Sequence, residues 1–146
     1  MSADFNLNAK NLFSQSIQVH QEDLDMNNHV NNEIYLKWML QIATAHSEFV
    51  GYPFQKYREI YGVFVVRRHE IDYIAPARLG DKLNFHTYSE PMSGCRAIRK
   101  YLLSRDPDKK VILEATTHWT FIDTRSSRPI LIPNEVAIAF SNEQEI

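Results

Sequence analysis

The longest periodic stretch of the chain predicts one helix in its first third. From residue 32 to residue 50, apolar and aromatic side chains recur at steps of three and four, the spacing of one helical face. Further leucine, alanine and valine residues widen that face, so we expect other elements to wrap most of the helix. Asn31 can cap its N-terminus, and Gly51 can end it in a left-handed turn.

Alternation of apolar and polar positions, which is typical of strands, flanks this helix on both sides. The predicted strands cover residues 14–20 before the helix and residues 62–75, 82–90, 96–104 and 111–123 after it, with a hairpin at 106–108, a short apolar piece at 129–133 and a brief helical turn at the C-terminus. One apolar helix followed by antiparallel strands buries its surface best when the sheet wraps around it. The pattern therefore predicts an α+β fold.

Composition favours a single globular domain over residues 1–146, with 44% hydrophobic and 23% charged residues. The formal net charge of −2 argues against a dedicated nucleic-acid partner. No apolar run approaches the roughly 20 residues of a membrane helix, so no membrane span is expected. The N-terminus lacks the features of a signal peptide, and the single cysteine, Cys95, permits no internal disulfide. We therefore expect a cytoplasmic protein.

A polar segment immediately before the helix carries the candidate chemistry. Residues 23–32 read Asp-Leu-Asp-Met-Asn-Asn-His-Val-Asn-Asn, a shaped loop rich in carboxylates and amides. The first free backbone N–H groups of the helix, at Asn32, Glu33 and Ile34, form a positive end that can hold developing negative charge. Asp25 can fold back to face the same space. A carboxylate opposite such a helix end is the minimum equipment for attack on an acyl carbonyl.

The same residues also have ordinary structural explanations. Asp and Asn before a helix are most often turn formers and caps, and His29 alone is more often a structural hydrogen-bonding group than a catalyst. His20, Asp23, Asp25 and His29 do not have the spacing of a helical metal-binding pair. We therefore expect neither a metal nor another cofactor.

The polar segment resembles the active-site motif of acyl-thioester hydrolases with the hotdog fold. Its Asp-Leu-Asp-x-Asn-x-His-Val-Asn-Asn pattern is similar to that of plant acyl-carrier-protein (ACP) thioesterases. The Asp-x-Asp pair before a helix that opens near Tyr35 resembles the single-domain 4-hydroxybenzoyl-CoA thioesterase family. Residues 64–81, Phe-Val-Val-Arg-Arg-His-Glu-Ile-Asp-Tyr-Ile-Ala-Pro-Ala-Arg-Leu-Gly-Asp, are similar to the central strand and following turn of those enzymes. The resemblance covers roughly residues 14–140. It implies a hotdog fold and hydrolysis of an acyl-CoA or acyl-ACP.

The resemblance also implies roles for residues of the loop. Asp25 occupies the position of the catalytic carboxylate, acting as nucleophile or as general base. The backbone N–H of Asn32 corresponds to the group that polarises the thioester carbonyl, and the plant motif adds Asn27 and His29. The chain departs from the plant pattern after the central strand, where Pro76 or Ala77 replaces a catalytic Glu or Cys. The 4-hydroxybenzoyl enzymes, in turn, lack a histidine at position 29.

An acyl tail needs an apolar slot, and a CoA or carrier arm needs positive charge. Candidates for the slot are Tyr35, Met39, Phe64, Val65 and Val66. Cations available for phosphates on the middle strands are Arg67, Arg68, Arg78, Arg96, Arg99 and Lys100. In the relatives the nucleotide lies across a subunit boundary, near a loop that matches Ser93 and Gly94. Those relatives pair edge to edge, which implies a homodimer or homotetramer.

Two other functions fit the same fold. A hotdog hydratase or dehydratase would act on 3-hydroxyacyl or enoyl thioesters with His29 as its base. A non-catalytic acyl-binding protein would retain the fold without the chemistry. The Asp-x-Asp pair favours hydrolysis over the first, and the intact carboxylate at Asp25 argues against the second.

Overall fold

A computed structural model describes residues 5–141 of the 146-residue chain, and the predicted order of elements is confirmed with two short additions, a 3₁₀ helix (Gln21–Asp23) and an α-helix (Phe54–Glu59). The elements are β1 (Phe13–Gln18), α1 (Asn32–Phe49), α2 (Phe54–Glu59), β2 (Gly62–Tyr73), β3 (Lys82–Ser89), β4 (Arg96–Asp106), β5 (Lys110–Asp123) and α3 (Asn134–Ser141). The sequence pattern does not predict α2, because six residues are too few to show a helical period. The C-terminal helical turn is a helix of eight residues.

The five strands form one antiparallel sheet in the order β1-β3-β4-β5-β2. Within residues 5–141, β1 and β2 are its two edges. One end of the sheet holds Gln18, Lys82 and Tyr73. We call it the loop end, because the turn after β2 contacts the polar segment at residues 23–32, the polar loop. Phe13, Ser89 and Gly62 lie at the opposite, distal end.

Helix α1 lies across one face of this sheet and supplies much of the core. Its buried side chains recur at steps of three and four residues, as the sequence predicts. They are Tyr35, Trp38, Met39, Ile42, Ala43 and His46. Most of them pack with Leu83, Phe85, Tyr101, Leu103 and Leu113 of the sheet. This wrapping of an antiparallel sheet around one long helix confirms the predicted hotdog fold.

Both ends of α1 are closed as the sequence predicts. The side-chain oxygen of Asn31 accepts a hydrogen bond from the Glu33 N–H at 3.1 Å, and Gly51 adopts a φ of +95°. No helix within residues 5–141 is both long and apolar enough to cross a membrane.

Candidate active site

The polar segment before α1 is a tight loop held on both sides. Leu24 and Val30 form an antiparallel bridge, and Asn28 turns the chain with a φ of 61°, a conformation that asparagine tolerates. The Val30 N–H donates to the carbonyl of Ala77 at 2.9 Å, which attaches the loop to the turn after β2. The candidate residues therefore lie on a backbone whose shape is fixed locally and by one contact from a distant segment.

Asp25 has one carboxylate oxygen held by its own loop. Its Oδ1 accepts from the N–H of Asn27 at 2.8 Å and from the N–H of His29 at 3.2 Å. Its Oδ2 makes no hydrogen bond within residues 5–141, and the side chain is partly exposed. The carboxylate is thus oriented through one oxygen, and the other can accept a proton or attack an electrophile.

The N-terminus of α1 offers one free N–H and not the three that the sequence predicts. The Glu33 N–H donates to the Asn31 side chain, and the Ile34 N–H donates to the Asn31 carbonyl at 2.9 Å. In the part of the chain that the structure describes, the Asn32 N–H has no acceptor. A developing oxyanion would therefore meet the Asn32 N–H at the positive end of the helix dipole.

The phenol of Tyr35, in the first turn of α1, has a perturbed pKa. Burial raises the pKa of the Tyr35 phenol, the hydrogen bond from the Ala77 N–H lowers it, and the nearby charges of Asp81, Tyr73 and Asp25 raise it further. Tyr35 itself is only 3% exposed and belongs to the core. It therefore does not line an open acyl slot, in contrast to the expectation from the sequence.

His29 meets an arginine that the sequence pattern does not connect with it. Nη2 of Arg78 lies 3.4 Å from Nε2 of His29. Because a guanidinium can only donate, Nε2 directs its lone pair at Arg78. The position of Arg78 is set by the turn after β2, where its N–H donates to Asp81 at 2.9 Å.

The other candidate ligands of the substrate lie far from Asp25 within one chain. Val65, Val66, Arg67, Ser93, Gly94 and Arg96 are all exposed and belong to the distal half of the sheet. Val66 lies seven residues from Tyr73, roughly 23 Å at ~3.3 Å per residue. One chain alone does not bring these residues to the polar loop.

Arg99 differs from the other candidate phosphate ligands because it is buried. It is 6% exposed, and its Nη1 lies 2.8 Å from Nδ1 of His46 in the interior. Lys100 is bound on the outer face of the sheet by Glu90 at 3.8 Å. Arg99 is therefore not available to a phosphate in solvent, in contrast to the expectation from its position on a middle strand.

The acidic residues of the loop do not gather into a metal centre. Asp23 accepts the N–H of His20 at 2.9 Å, and its carboxylate lies 4.0 Å from Nδ1 of the same residue. Within residues 5–141, no group of three His, Cys, Asp or Glu side chains could hold a metal ion. The chemistry that the loop can perform depends on Asp25, its neighbours and the helix N-terminus.

Comparison with known proteins finds a matching family and two similar enzymes. Residues 10–140 match the family described as acyl-ACP thioesterase N-terminal domain. The acyl-CoA thioesterase YbgC of Haemophilus influenzae is 28% identical over 131 residues, which is 89% of this chain and 95% of that protein. The long-chain acyl-CoA thioesterase FadM of Escherichia coli is 26% identical over 120 residues, 82% of this chain and 90% of that protein.

A solved structure shares the fold over nearly the same span. The crystal structure of a 1,4-dihydroxy-2-naphthoyl-CoA thioesterase from Synechocystis superposes with a TM-score of 0.81 at 20% identity. The match covers 88% of this chain and 95% of that one. At this identity the likeness supports the hotdog architecture alone.

Proposed function

Because the chain belongs to the family of the acyl-ACP thioesterase N-terminal domain, we propose that it hydrolyses an acyl thioester at the polar loop. The proposal rests on the hydrogen bonding of the Asp25 carboxylate. Its Oδ1 accepts from the N–H groups of Asn27 and His29, whereas its Oδ2 makes no hydrogen bond within residues 5–141. The free N–H of Asn32 supplies a donor for the carbonyl oxygen at the same end of α1.

The proposed reaction has two routes that use the same groups. In one, Oδ2 of Asp25 attacks the carbonyl carbon, the thiolate leaves, and water hydrolyses the resulting mixed anhydride. In the other, Oδ2 accepts a proton from the water that attacks the carbonyl. Negative charge develops on the carbonyl oxygen in both routes, and the Asn32 N–H stabilises it. Asn27 and His29 hold Asp25 through their backbone, and their side chains orient the water.

The carrier of the acyl group is proposed as a thioester of CoA or of ACP. Both relatives named above are acyl-CoA thioesterases, which supports CoA. The family name supports ACP. Either carrier would be met in the reducing cytoplasm that the single cysteine favours.

A homodimer built on the β2 edge completes the proposed site. Within residues 5–141, β2 pairs only with β5, and its exposed edge includes Val65, Val66 and Tyr73. Unpaired edges with exposed apolar residues favour pairing with another strand. A two-fold axis that joins two copies of β2 runs the strands antiparallel, so the loop end of one chain meets the distal half of its partner.

This pairing explains the separation of the candidate residues within one chain. It would bring Val65, Val66 and Arg67 of one copy towards the polar loop of the other, where an acyl group and its carrier need apolar and positive surface. Large apolar side chains near the loop that the second copy would cover are Met26, Tyr73, Ile74 and Leu79, which are 100%, 47%, 45% and 54% exposed. A homotetramer would be two such dimers.

The proposal is tested by release of thiol from a panel of acyl-CoA and acyl-ACP substrates of different length and aromaticity. The assay needs a substrate-free blank, because Cys95 adds one thiol per chain. We expect saturable release that depends on Asp25. Parallel measurement of enoyl absorbance separates hydrolysis from hydration of an enoyl thioester. If absorbance changes without thiol release, the hydratase alternative replaces the proposal, and binding of acyl-CoA without either signal indicates an acyl-binding protein.

A further inference from the structure

The turn after β2 places the side chain of Arg78 against the imidazole of His29. The Val30 N–H donates to the carbonyl of Ala77 at 2.9 Å, so the residues next to this pair, His29 and Arg78, lie side by side. Nη2 of Arg78 is 3.4 Å from Nε2 of His29. The contact between the two side chains therefore follows from the attachment of the turn to the polar loop.

The backbone of Arg78 is fixed, and its guanidinium is not neutralised by a carboxylate. The Arg78 N–H donates to Oδ2 of Asp81 at 2.9 Å, and the Asp81 N–H donates to the Arg78 carbonyl at 3.0 Å. The carboxylate of Asp81 lies 3.6 Å from Nη1 of Arg105. Within residues 5–141, Arg78 forms no ion pair, and the side-chain contact of its guanidinium is the imidazole.

The direction of this hydrogen bond decides where the proton of His29 lies. A guanidinium has only donors, whereas a neutral imidazole has one donor nitrogen and one acceptor nitrogen. Nε2 must therefore carry the lone pair, and Nδ1 must carry the proton. An imidazolium would bring two donors and two positive charges together. Arg78 thus selects the neutral ring of His29 with its proton on Nδ1.

The Nδ1–H of His29 is an unused donor in the loop that holds Asp25. In the part of the chain that the structure describes, Nδ1 of His29 has no hydrogen-bond partner. The backbone of His29 donates to Oδ1 of Asp25 at 3.2 Å and accepts from the Asp25 N–H at 2.8 Å. The imidazole is therefore attached to the carboxylate through the backbone, and its Nδ1–H is left for a water molecule or a substrate oxygen.

We propose that Arg78 is a positioning residue for thioester hydrolysis, which holds His29 neutral with its proton on Nδ1, so that His29 donates a hydrogen bond and accepts no proton. The inference rests on the proposed function and leaves Asp25 as the base or nucleophile. It gives Arg78 a role other than the phosphate binding expected from the sequence. It also argues against His29 as the base of a hydratase, because the lone pair on Nε2 is already engaged.

Long-range ¹H–¹⁵N correlation spectra of the full chain measure the position of the proton directly, because the protonated ring nitrogen and the one with the lone pair resonate far apart. At about pH 8, well above the ~6.5 at which free histidine titrates, neutral rings report only their tautomer. The signals of His29 are those missing from His29→Ala. His46 is an internal reference with the opposite tautomer, since its Nδ1 accepts from Arg99 at 2.8 Å. We expect a proton on Nδ1 for His29 and on Nε2 for His46.

Three variants test whether Arg78 causes the tautomer of His29. Arg78→Met removes the donors and should move proton density of His29 from Nδ1 to Nε2, without a change at His46. Arg78→Lys keeps a positive donor and should restore the Nδ1 proton in part. Both should fold, because the side chain of Arg78 is exposed and its backbone bonds remain. Lys10→Met, which removes an exposed cation beside β1, at the sheet edge opposite β2, should leave both rings unchanged.

A double-mutant cycle then separates positioning from direct contact with the substrate. Arg78→Met should lower kcat for thiol release about tenfold, the effect of one lost hydrogen bond. Arg78→Lys should recover part of the loss, and Lys10→Met should retain full activity. In the His29→Ala background, adding Arg78→Met should change neither kcat nor KM, because Arg78 acts through the imidazole. An arginine that binds carrier phosphates would raise KM by the same factor in both backgrounds.

The spectra and the cycle can each overturn the proposal. A His29 ring in the unmodified chain with its proton on Nε2, or on both nitrogens, contradicts it. So does a folded Arg78→Met variant whose His29 spectrum is unchanged, or an equal loss of activity with and without the imidazole. The spectra need no substrate. A chain that shows the expected tautomer but releases no thiol would therefore contradict the proposed function, and with it the role of Arg78 in hydrolysis, while the contact with His29 stands.

Discussion

Asp25 and His29 are hydrogen-bonded to each other in both directions. The Asp25 N–H donates to the His29 carbonyl at 2.8 Å, and the His29 N–H donates to Oδ1 of Asp25 at 3.2 Å. The loop therefore presents Asp25 through backbone contacts that do not depend on the imidazole. This arrangement makes it possible to alter the charge at position 25 while the fold of the loop is kept.

Asp25→Asn retains an oxygen that accepts the two backbone N–H groups but removes the negative charge. We expect thiol release to fall at least about a hundredfold, the range for loss of a catalytic base, with an unchanged melting temperature. Glu59→Gln, a carboxylate-to-amide change on exposed α2, is the control and should leave both values in place. Full turnover in a folded Asp25→Asn variant would show that Asp25 takes no part in the reaction.

The proposed oxyanion donor is a backbone group, so it can be deleted only with proline. Asn32 is the first residue of α1, where proline is well tolerated, and Asn31 before it has φ −64° and ψ 137°, which a following proline accepts. Asn32→Pro should fold and lose about 10²–10³ in kcat. Asn32→Ala keeps the N–H and should retain activity. Equal activity of the two variants would exclude the Asn32 N–H as the donor.

Charges on the β2 edge should separate the proposed dimer. The double substitution Val65→Lys and Val66→Lys places two positive charges on β2 of each copy. Repulsion between these charges disfavours pairing of the two β2 edges. Light scattering after size exclusion should then give a monomer in place of a dimer, with a loss of thiol release. Leu131→Lys adds a charge at an exposed apolar position outside β2 and should remain dimeric and active. An unmodified chain that is monomeric and fully active would contradict the proposed dimer.

The buried imidazole of His46 should make stability fall in acid. Its pKa is lowered to about 3 in the folded chain by burial and by Arg99, against about 6.5 when unfolded. Between these values the unfolded chain binds a proton that the folded chain does not. The free energy of unfolding should therefore decrease as pH falls from 6.5 towards 3, by up to about 1.4 kcal/mol per pH unit, and level off below.

Urea unfolding of the unmodified chain and of His46→Gln between pH 7 and pH 4 measures this contribution. Glutamine keeps an acceptor for Arg99 but does not titrate, so the stability difference between the two proteins should change with pH in the stated direction. Burial also lowers the pKa values of His69 and His86, which adds a slope of the same sign to both proteins. A pH-independent difference would show that His46 does not remain neutral in the folded state.

The sequence alone determined the local structure of this protein. The three- and four-residue spacing in α1 and the alternation in the strands reflect which side chains are buried, so they are readable without coordinates. The Asn31 cap and the Gly51 turn follow from local backbone chemistry. The concentration of carboxylates and amides before α1 likewise identified the loop around Asp25, although the six residues of α2 are too short to leave a period.

Tertiary structure decided which of the candidate donors and charged side chains are free to contact a substrate. Asn31 uses two of the three N–H groups at the start of α1 and leaves that of Asn32. Arg99 lies inside the protein because the sheet packs it against His46, 53 residues away in sequence. Whether a charge faces solvent or the interior depends on contacts between segments that no local pattern encodes, and this is why the burial of Arg99 is visible only in the folded chain.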